Sequence, residues 1–384
     1  MLRIKELNEY DQFAELREQW NDVLSKSKDN EVFLTWEWLS TWWRHYGKER
    51  ELTILLAEDG EKIVGIAPLM RSIYNLFGLK LRKIQFIGAE HTDYRNFILT
   101  AKGSECSKLF IKYLSKLSWD CLEFGDIPET AESVAILRTM LGKTHMQNEM
   151  VVSNCFYIPL CVSWDVFLKA RSESMRRNLR RRLRRLEEKH KVTLSRQDDI
   201  DSVQQGVEAF VDLHQREWSS KGFEGSFGVD PEFRHFILDV SKCFAEKKWL
   251  NLSFLTVDDV PISGGLNFEY NNIFYLYHCG YDPEYYRFGV GNLLISRLIQ
   301  DSIQKGMAKF DFLAGTESYK RSWASLSRKN LEVGFIRNRL LPVLYDRITR
   351  SKEYDWIKSN NRGYLRKLKA IARTHCPSLY GALR

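Results

Sequence analysis

Apolar positions along the chain change repeatedly between extended and helical spacing, and the clearest series of such changes lies at 272–323. Ile273 to Cys279 is a run of β-formers and aromatics and predicts a strand. Tyr285-Tyr286-Arg287-Phe288-Gly289-Val290-Gly291 predicts a compact turn. Asn292 to Lys305 then places Leu294, Ile295, Leu298, Ile299 and Ile303 at helical spacing, and Gly306 ends the helix as a C-terminal glycine does. Phe310 to Leu313 predicts a second short strand.

Elsewhere the pattern predicts a first strand and a helix around Phe13, Leu16, Trp20 and Leu24, then an aromatic helix over Phe33–Trp43. Asp59-Gly60 joins two strand-like runs into a hairpin, and Asp258-Asp259 joins two more about 200 residues later. In both hairpins the aspartate stands six residues before a glycine, Gly65 or Gly264, which is the one internal repeat found. Helices are predicted over 103–118, 131–142, 174–190 and 207–218, and strands over 121–124 and 151–160. In the helix at 174–190, Met175, Leu179, Leu183 and Leu186 share one face and arginines occupy the rest. Residues 221–228 read as a glycine loop able to close over a ligand, and 344–358 and 363–373 as helices of a basic tail.

The turn at 285–291 changes this from a fold into a site. Two glycines one residue apart let backbone N–H groups approach a ligand, the following helix offers unsatisfied donors and a positive dipole end, and Arg287 adds a charge. A pyrophosphate suits such a place; plain turn geometry accounts for the same residues. The chain has 384 residues, enough for two domains with their own cores, and its net charge of +8 favours anionic partners such as CoA, a nucleotide-linked sugar, tRNA or an anionic membrane surface. No apolar run of about 18 residues is present, the N-terminus lacks a signal-peptide core, and the seven cysteines show no paired spacing. The expectation is a cytoplasmic protein with reduced cysteines and no metal, able at most to touch a membrane peripherally.

Strand, glycine turn, helix and strand together resemble the acyl-CoA-binding core of the GNAT acyltransferase superfamily. Gly289 and Gly291 match the glycines of that family's turn, whereas its leading basic position falls on Tyr286, with Arg287 one place late. Asp311-Phe312-Leu313-Ala314-Gly315-Thr316-Glu317-Ser318-Tyr319-Lys320-Arg321-Ser322-Trp323 is similar to the signature of the BioF2-like, or CelD-like, acetyltransferase branch, which is related to the FemAB peptidyltransferases. The likeness covers about residues 30–330. It implies an α/β (α+β) fold of tandem GNAT-like domains, each a mixed central sheet flanked by helices. The implied division is 1–155 as a degenerate, acceptor-shaping domain, 156–335 as the acyl-CoA-binding domain and 336–384 as a helical tail.

The reaction so implied is transfer of an acyl group, from acetyl-CoA or another acyl-CoA, to an amine or hydroxyl of a small, cell-envelope or polysaccharide-precursor acceptor. The alternatives are a FemAB-like aminoacyltransferase using aminoacyl-tRNA and a non-catalytic anion-binding protein. Donor contacts are expected from Tyr277, Cys279, Tyr286, Arg287, Gly289, Val290, Gly291 and Asn292. His278 is a candidate base because an ordinary imidazole titrates near neutrality. Lys320 is a candidate for the oxyanion or an acceptor phosphate, Tyr319 for the leaving thiolate, and Asp93 is a further carboxylate candidate. Trp36, Trp38, Tyr94, Arg177, Arg181 and Glu317 are candidates for acceptor binding; the bland alternative puts the tryptophans in the core, the arginines in solvent and Glu317 in a salt bridge with Lys320.

Overall fold

A computed structural model describes residues 2–76, 79–140, 146–160, 163–324 and 326–337. The predicted helices at 344–358 and 363–373 lie outside the described residues. The first half comprises β1 (Leu2–Leu7), α1 (Tyr10–Ala14), α2 (Arg17–Ser25), α3 (Trp36–Tyr46), β2 (Arg50–Leu52), β3 (Ile54–Asp59), β4 (Lys62–Ala67), β5 (Leu69–Leu76), β6 (Leu79–Phe86), β7 (Ile98–Leu99), α4 (Gly103–Leu114), β8 (Cys121–Pro128), α5 (Glu132–Met140) and β9 (Met146–Pro159). The second half comprises α6 (Trp164–Lys169), α7 (Glu173–Glu187), β10 (Val192–Arg196), α8 (Val203–Ser220), α9 (Gly225–Val229), α10 (Pro231–Glu246), β11 (Leu250–Val257), β12 (Val260–Tyr270), β13 (Ile273–Tyr281), α11 (Val290–Gln304), β14 (Lys309–Ala314), α12 (Ser318–Trp323) and β15 (Leu326–Ile336).

The strands form a four-stranded sheet, β1-β3-β4-β7, and an 11-stranded mixed sheet, β10-β11-β12-β13-β14-β9-β15-β8-β6-β5-β2. β11 is buried at every position because helices cover it. Both expected hairpins form, β3–β4 and β11–β12, each with one register shift. Their turns sit in left-handed backbone at Gly60 and at Asp258 and Asp259, which matches the strand twist.

A deeper repeat underlies them. β6 runs parallel to β8 over Lys83–Gln85 and Cys121–Glu123, with α4 between them in the chain. β13 runs parallel to β14 over Ile273–Tyr275 and Lys309–Asp311, with α11 between them. In each pair only three rungs form before the strands part. The first opening is packed shut by Phe86, Phe97, Phe110 and Phe124, whose neighbouring rings lie 5.2 to 5.8 Å apart. The second stays open. β9 runs through the expected boundary at 155/156 and pairs with both β14 and β15, so the two halves share one sheet.

The aromatic helix is core. Trp38 and Trp42 are fully buried, the Trp38 indole donates to Thr92 Oγ1 at 2.8 Å, and Thr35 caps the helix by accepting from Trp38 N. Of the glycine loop expected over 221–228, the residues from Gly225 on instead make α9, anchored by the buried ring of Phe227. Cys106, Cys155, Cys243 and Cys279 carry free thiols. No helix among the described residues is long and apolar enough to cross a membrane.

Candidate functional site

The parting of β13 from β14 opens a cleft of about 1100 Å³. Leu276 to Cys279 on β13 and Leu313 and Ala314 on β14 face each other across it, Gly289 to Asn292 lie at its edge, and Ala89, His91, Thr92, Asp93 and Asp126 enter from the first half. The opening has a local cause. Leu313 adopts left-handed backbone at φ 59°, its N–H bonds the Asp311 carboxylate at 2.9 Å, and the pairing of β14 with β9 breaks between Asp311 and Ala314.

The glycine turn is a 3-10 segment over Pro283–Phe288 that hands directly to α11. Gly289 takes the left-handed conformation at φ 60°, where any other residue is strained. A Cβ at Gly291 would come no nearer than 3.8 Å to any neighbour, so this backbone stands open to the cleft. In the 15-residue α11 the N–H groups of Asn292 and Leu293 already bond the Gly289 carbonyl, which leaves those of Val290 and Gly291, ahead of the first intrahelical bond, for an anion. Tyr286 is 69% exposed and stacks loosely on Tyr281, at 6.3 Å. Arg287 also lines the cleft, and Asn292 is held by the Trp323 indole, which donates to its Oδ1 at 2.9 Å.

Four expected catalytic residues, Asp93, His278, Tyr319 and Lys320, come together here from three separate segments. Burial, reinforced by the charges of Asp126 and Asp311, pushes the Asp93 carboxyl up to about 7 in spite of Lys320 and Arg95. His278 departs from its expectation: burial, with His214, His91 and Lys320 nearby, drives its imidazole down to about 3. It is neutral at pH 7 and is not the poised base that its ordinary pKa promised. Burial also raises the Cys279 thiol to about 12 and lifts the Tyr319 phenol above its usual value. Lys320 is 5% exposed. It donates to the Ala314 carbonyl and pairs with Glu317 Oε2 at 3.3 Å, so the competing salt bridge is real. Gly315, at φ 136°, leaves no room for a Cβ beside that ammonium, which explains a glycine in this motif.

Other expectations are corrected. Trp36 and Trp38 do not line the cleft; the Trp36 indole donates to the Phe13 carbonyl at 2.9 Å and its face carries Arg17. Tyr94 is fully buried, donates to Asp311 Oδ1 at 2.7 Å and lies under Arg328 at 3.8 Å, so it binds no acceptor. The Tyr277 ring lines the cleft, but its hydroxyl is spent on the His91 carbonyl at 2.8 Å. Arg177 and Arg181 lie in a different groove of about 620 Å³ along α6 and α7, with Arg176, Arg180 and Arg184.

Sequence reasoning missed Arg182, His214 and Glu217, which also line the cleft together with Lys221 from the start of the glycine loop. The Nδ1 of His214 is buried and finds no partner among the described residues, and burial lowers its pKa to about 4. A signal for Arg182 was present: with Met175, Leu179 and Leu186 it completes a three-and-four stripe, so this one arginine belongs to the inward face.

Residues 173–321, from the start of α7 to just past Lys320, match the family model described as an acetyltransferase (GNAT) domain. The matched stretch runs from α7 into α12 and includes both the glycine turn and Lys320. Among solved structures it is similar to FemX, at 11% identity and a TM-score of 0.62, covering 85% of this chain and 98% of that one. It is similar also to a conserved protein of unknown function from Bacteroides thetaiotaomicron, at 11% identity and a TM-score of 0.54 over 88% and 100% of the two chains. A third is the C-terminal DUF2156 domain of a candidate lysylphosphatidylglycerol synthetase from Agrobacterium fabrum, at 10% identity and 0.52 over 87% and 96%. At these identities the likeness is one of fold. No curated protein matches the chain.

Proposed function

We propose that the chain transfers an acyl group from an acyl-CoA, with acetyl-CoA as the simplest donor, to an amine or hydroxyl of a small, cell-envelope or polysaccharide-precursor acceptor. The observation that carries this reading is the meeting, in one cleft, of an open helix N-terminus at Gly289–Gly291 with a near-neutral carboxyl at Asp93 and a buried ammonium at Lys320. The donor's phosphates lie at the turn and its pantetheine between β13 and β14. The first half, 1–155, supplies the acceptor wall through Ala89, His91, Thr92, Asp93 and Asp126, and 156–335 supplies the donor site.

The acceptor nitrogen or oxygen attacks the thioester carbonyl and the C–S bond breaks. Asp93, ionised in about half of the molecules near pH 7, takes the acceptor's proton. Lys320 faces the charge that develops on the carbonyl oxygen. The edge of β13 beyond Tyr275, unpaired with β14, offers backbone donors beside it. His278 stays neutral and Tyr319 gives a hydrogen bond to the leaving sulfur.

A second reading, aminoacyl transfer from a charged tRNA, draws on the arginine groove of α7 and on the shared fold with the candidate lysylphosphatidylglycerol synthetase. Titration of the full chain with acetyl-CoA and with aminoacyl-tRNA separates the two. The first reading expects micromolar acetyl-CoA binding that loss of the Gly291 opening weakens at least about tenfold; binding of charged tRNA alone would replace it with the second.

A further inference from the structure

The turn that opens α11 carries Tyr286 at the position where a basic residue would hold an anion. The tertiary structure brings a different cation to the same place. α7 packs against the turn and against α11, and the Arg182 guanidinium lies directly over Gly289: a Cβ added to that glycine would run into Nη1 and stand 2.9 Å from Cζ. Of its neighbours on α7, Arg177 pairs with Glu173 at 3.7 Å and Arg184 with Glu188 at 3.3 Å. No carboxylate among the described residues pairs with Arg182. Its charge is half-buried at the mouth of the cleft and directed at the first turn of a 15-residue helix.

A half-buried arginine without a counter-ion is costly unless something anionic visits it. Beside it are Val290 and Gly291, the first two positions of α11, whose N–H groups precede the first intrahelical bond, and Arg287. A flat guanidinium offers two parallel donors, which suits a phosphate better than a point charge does. The geometry points to Arg182 as the side chain that clamps a phosphate of the donor, supplying from α7 the charge that Tyr286 withholds from the turn. This rests on the acyl-CoA reading and sharpens it. The donor site is then built by two elements about a hundred residues apart in the chain, and α7 does two things: Arg182 serves the cleft, while Arg176, Arg177, Arg180, Arg181 and Arg184 face the separate outer groove.

The test is calorimetric titration of the wild type, Arg182→Gln, Arg182→Lys and Arg185→Gln with acetyl-CoA, inorganic pyrophosphate and acetyl-pantetheine, which has no phosphate. Arg185 sits on the same helix and lines neither cavity, so Arg185→Gln removes the same charge without touching the site. Arg182→Gln is expected to weaken acetyl-CoA and pyrophosphate about tenfold to a hundredfold, the scale of a lost charge-assisted pair, and to leave acetyl-pantetheine unchanged. Arg182→Lys recovers part of the loss, and Arg185→Gln stays at the wild-type value. Equal affinity of wild type and Arg182→Gln for both phosphate ligands overturns the clamp, as does a wild type that binds neither. If the wild type binds pyrophosphate but not acetyl-CoA, and Arg182→Gln loses that binding, the clamp stands and the acyl-CoA reading falls.

Discussion

The hydroxyl of Tyr94, in the first half of the chain, donates to the carboxylate of Asp311 on β14 at 2.7 Å. The same carboxyl oxygen holds Leu313 N–H in the kink that parts β14 from β13. Arg328 joins Asp311 to Glu31 at 3.3 and 3.0 Å, and Tyr275 donates to Glu31 at 2.6 Å. One buried polar network therefore ties the N-terminal segment to the feature that opens the cleft.

Tyr94→Phe should remove one hydrogen bond to a buried carboxylate and cost about 1.5–3 kcal/mol of unfolding free energy. Urea denaturation reads this directly. The acceptor KM should stay where it is, because the ring is sealed from the cleft. An unchanged midpoint with a raised KM would instead put Tyr94 in contact with substrate.

Asp93 makes a prediction in pH. Its carboxyl sits at about 7 in the fold against 3.8 as the ordinary value. The deprotonated form is the base, so kcat/KM should rise through about pH 7 and then level, and Asp93→Asn should lack that rise. For stability the sign is opposite. The folded state holds the proton more tightly than the unfolded chain, so the stabilisation present below about pH 4 is lost as pH rises through 7. Asp93→Asn should therefore gain on the wild type in melting temperature at pH 8 relative to pH 4. A wild-type rate profile flat between pH 5.5 and 8 would remove Asp93 from the chemistry.

Lys320→Met keeps the stem and removes the charge. If the ammonium stabilises the transition state, kcat should fall by about two to three orders of magnitude, as when one oxyanion donor is lost, with acetyl-CoA affinity nearly unmoved. If the lysine serves only the Ala314 carbonyl and Glu317, turnover survives and the melting temperature carries the change. Single-turnover kinetics beside a thermal melt decide between them.

The two glycines of the turn should separate. Gly291→Val adds carbon into open space, so it should leave the melting temperature unchanged while weakening acetyl-CoA at least tenfold. Gly289→Val strains a left-handed residue by about 1–2 kcal/mol and collides with Arg182, so it should lose stability as well as binding. Intact donor affinity in a folded Gly291→Val protein would move the donor site elsewhere.

Much of this molecule follows from sequence alone. Periodicity settles the elements, since alternation and three-and-four spacing are local properties of the backbone: β13, α11 and β14 stand where Ile273–Cys279, Asn292–Lys305 and Phe310–Leu313 put them. The turn glycines and the Tyr319-Lys320 motif lie close together in the chain, so that part of the cleft was legible too. The rest depended on contacts across long separations. Only the packing shows that Asp93 meets Lys320 more than 200 residues away, and that Asp126 and Asp311 hold its carboxyl near neutrality. Burial, which no local pattern states, turned His278 from a base into a neutral ring and put Trp38 and Tyr94 into the core. It also set Arg182 over Gly289 with no carboxylate partner among the described residues, because a helix shows which face turns inward but not which neighbour waits there.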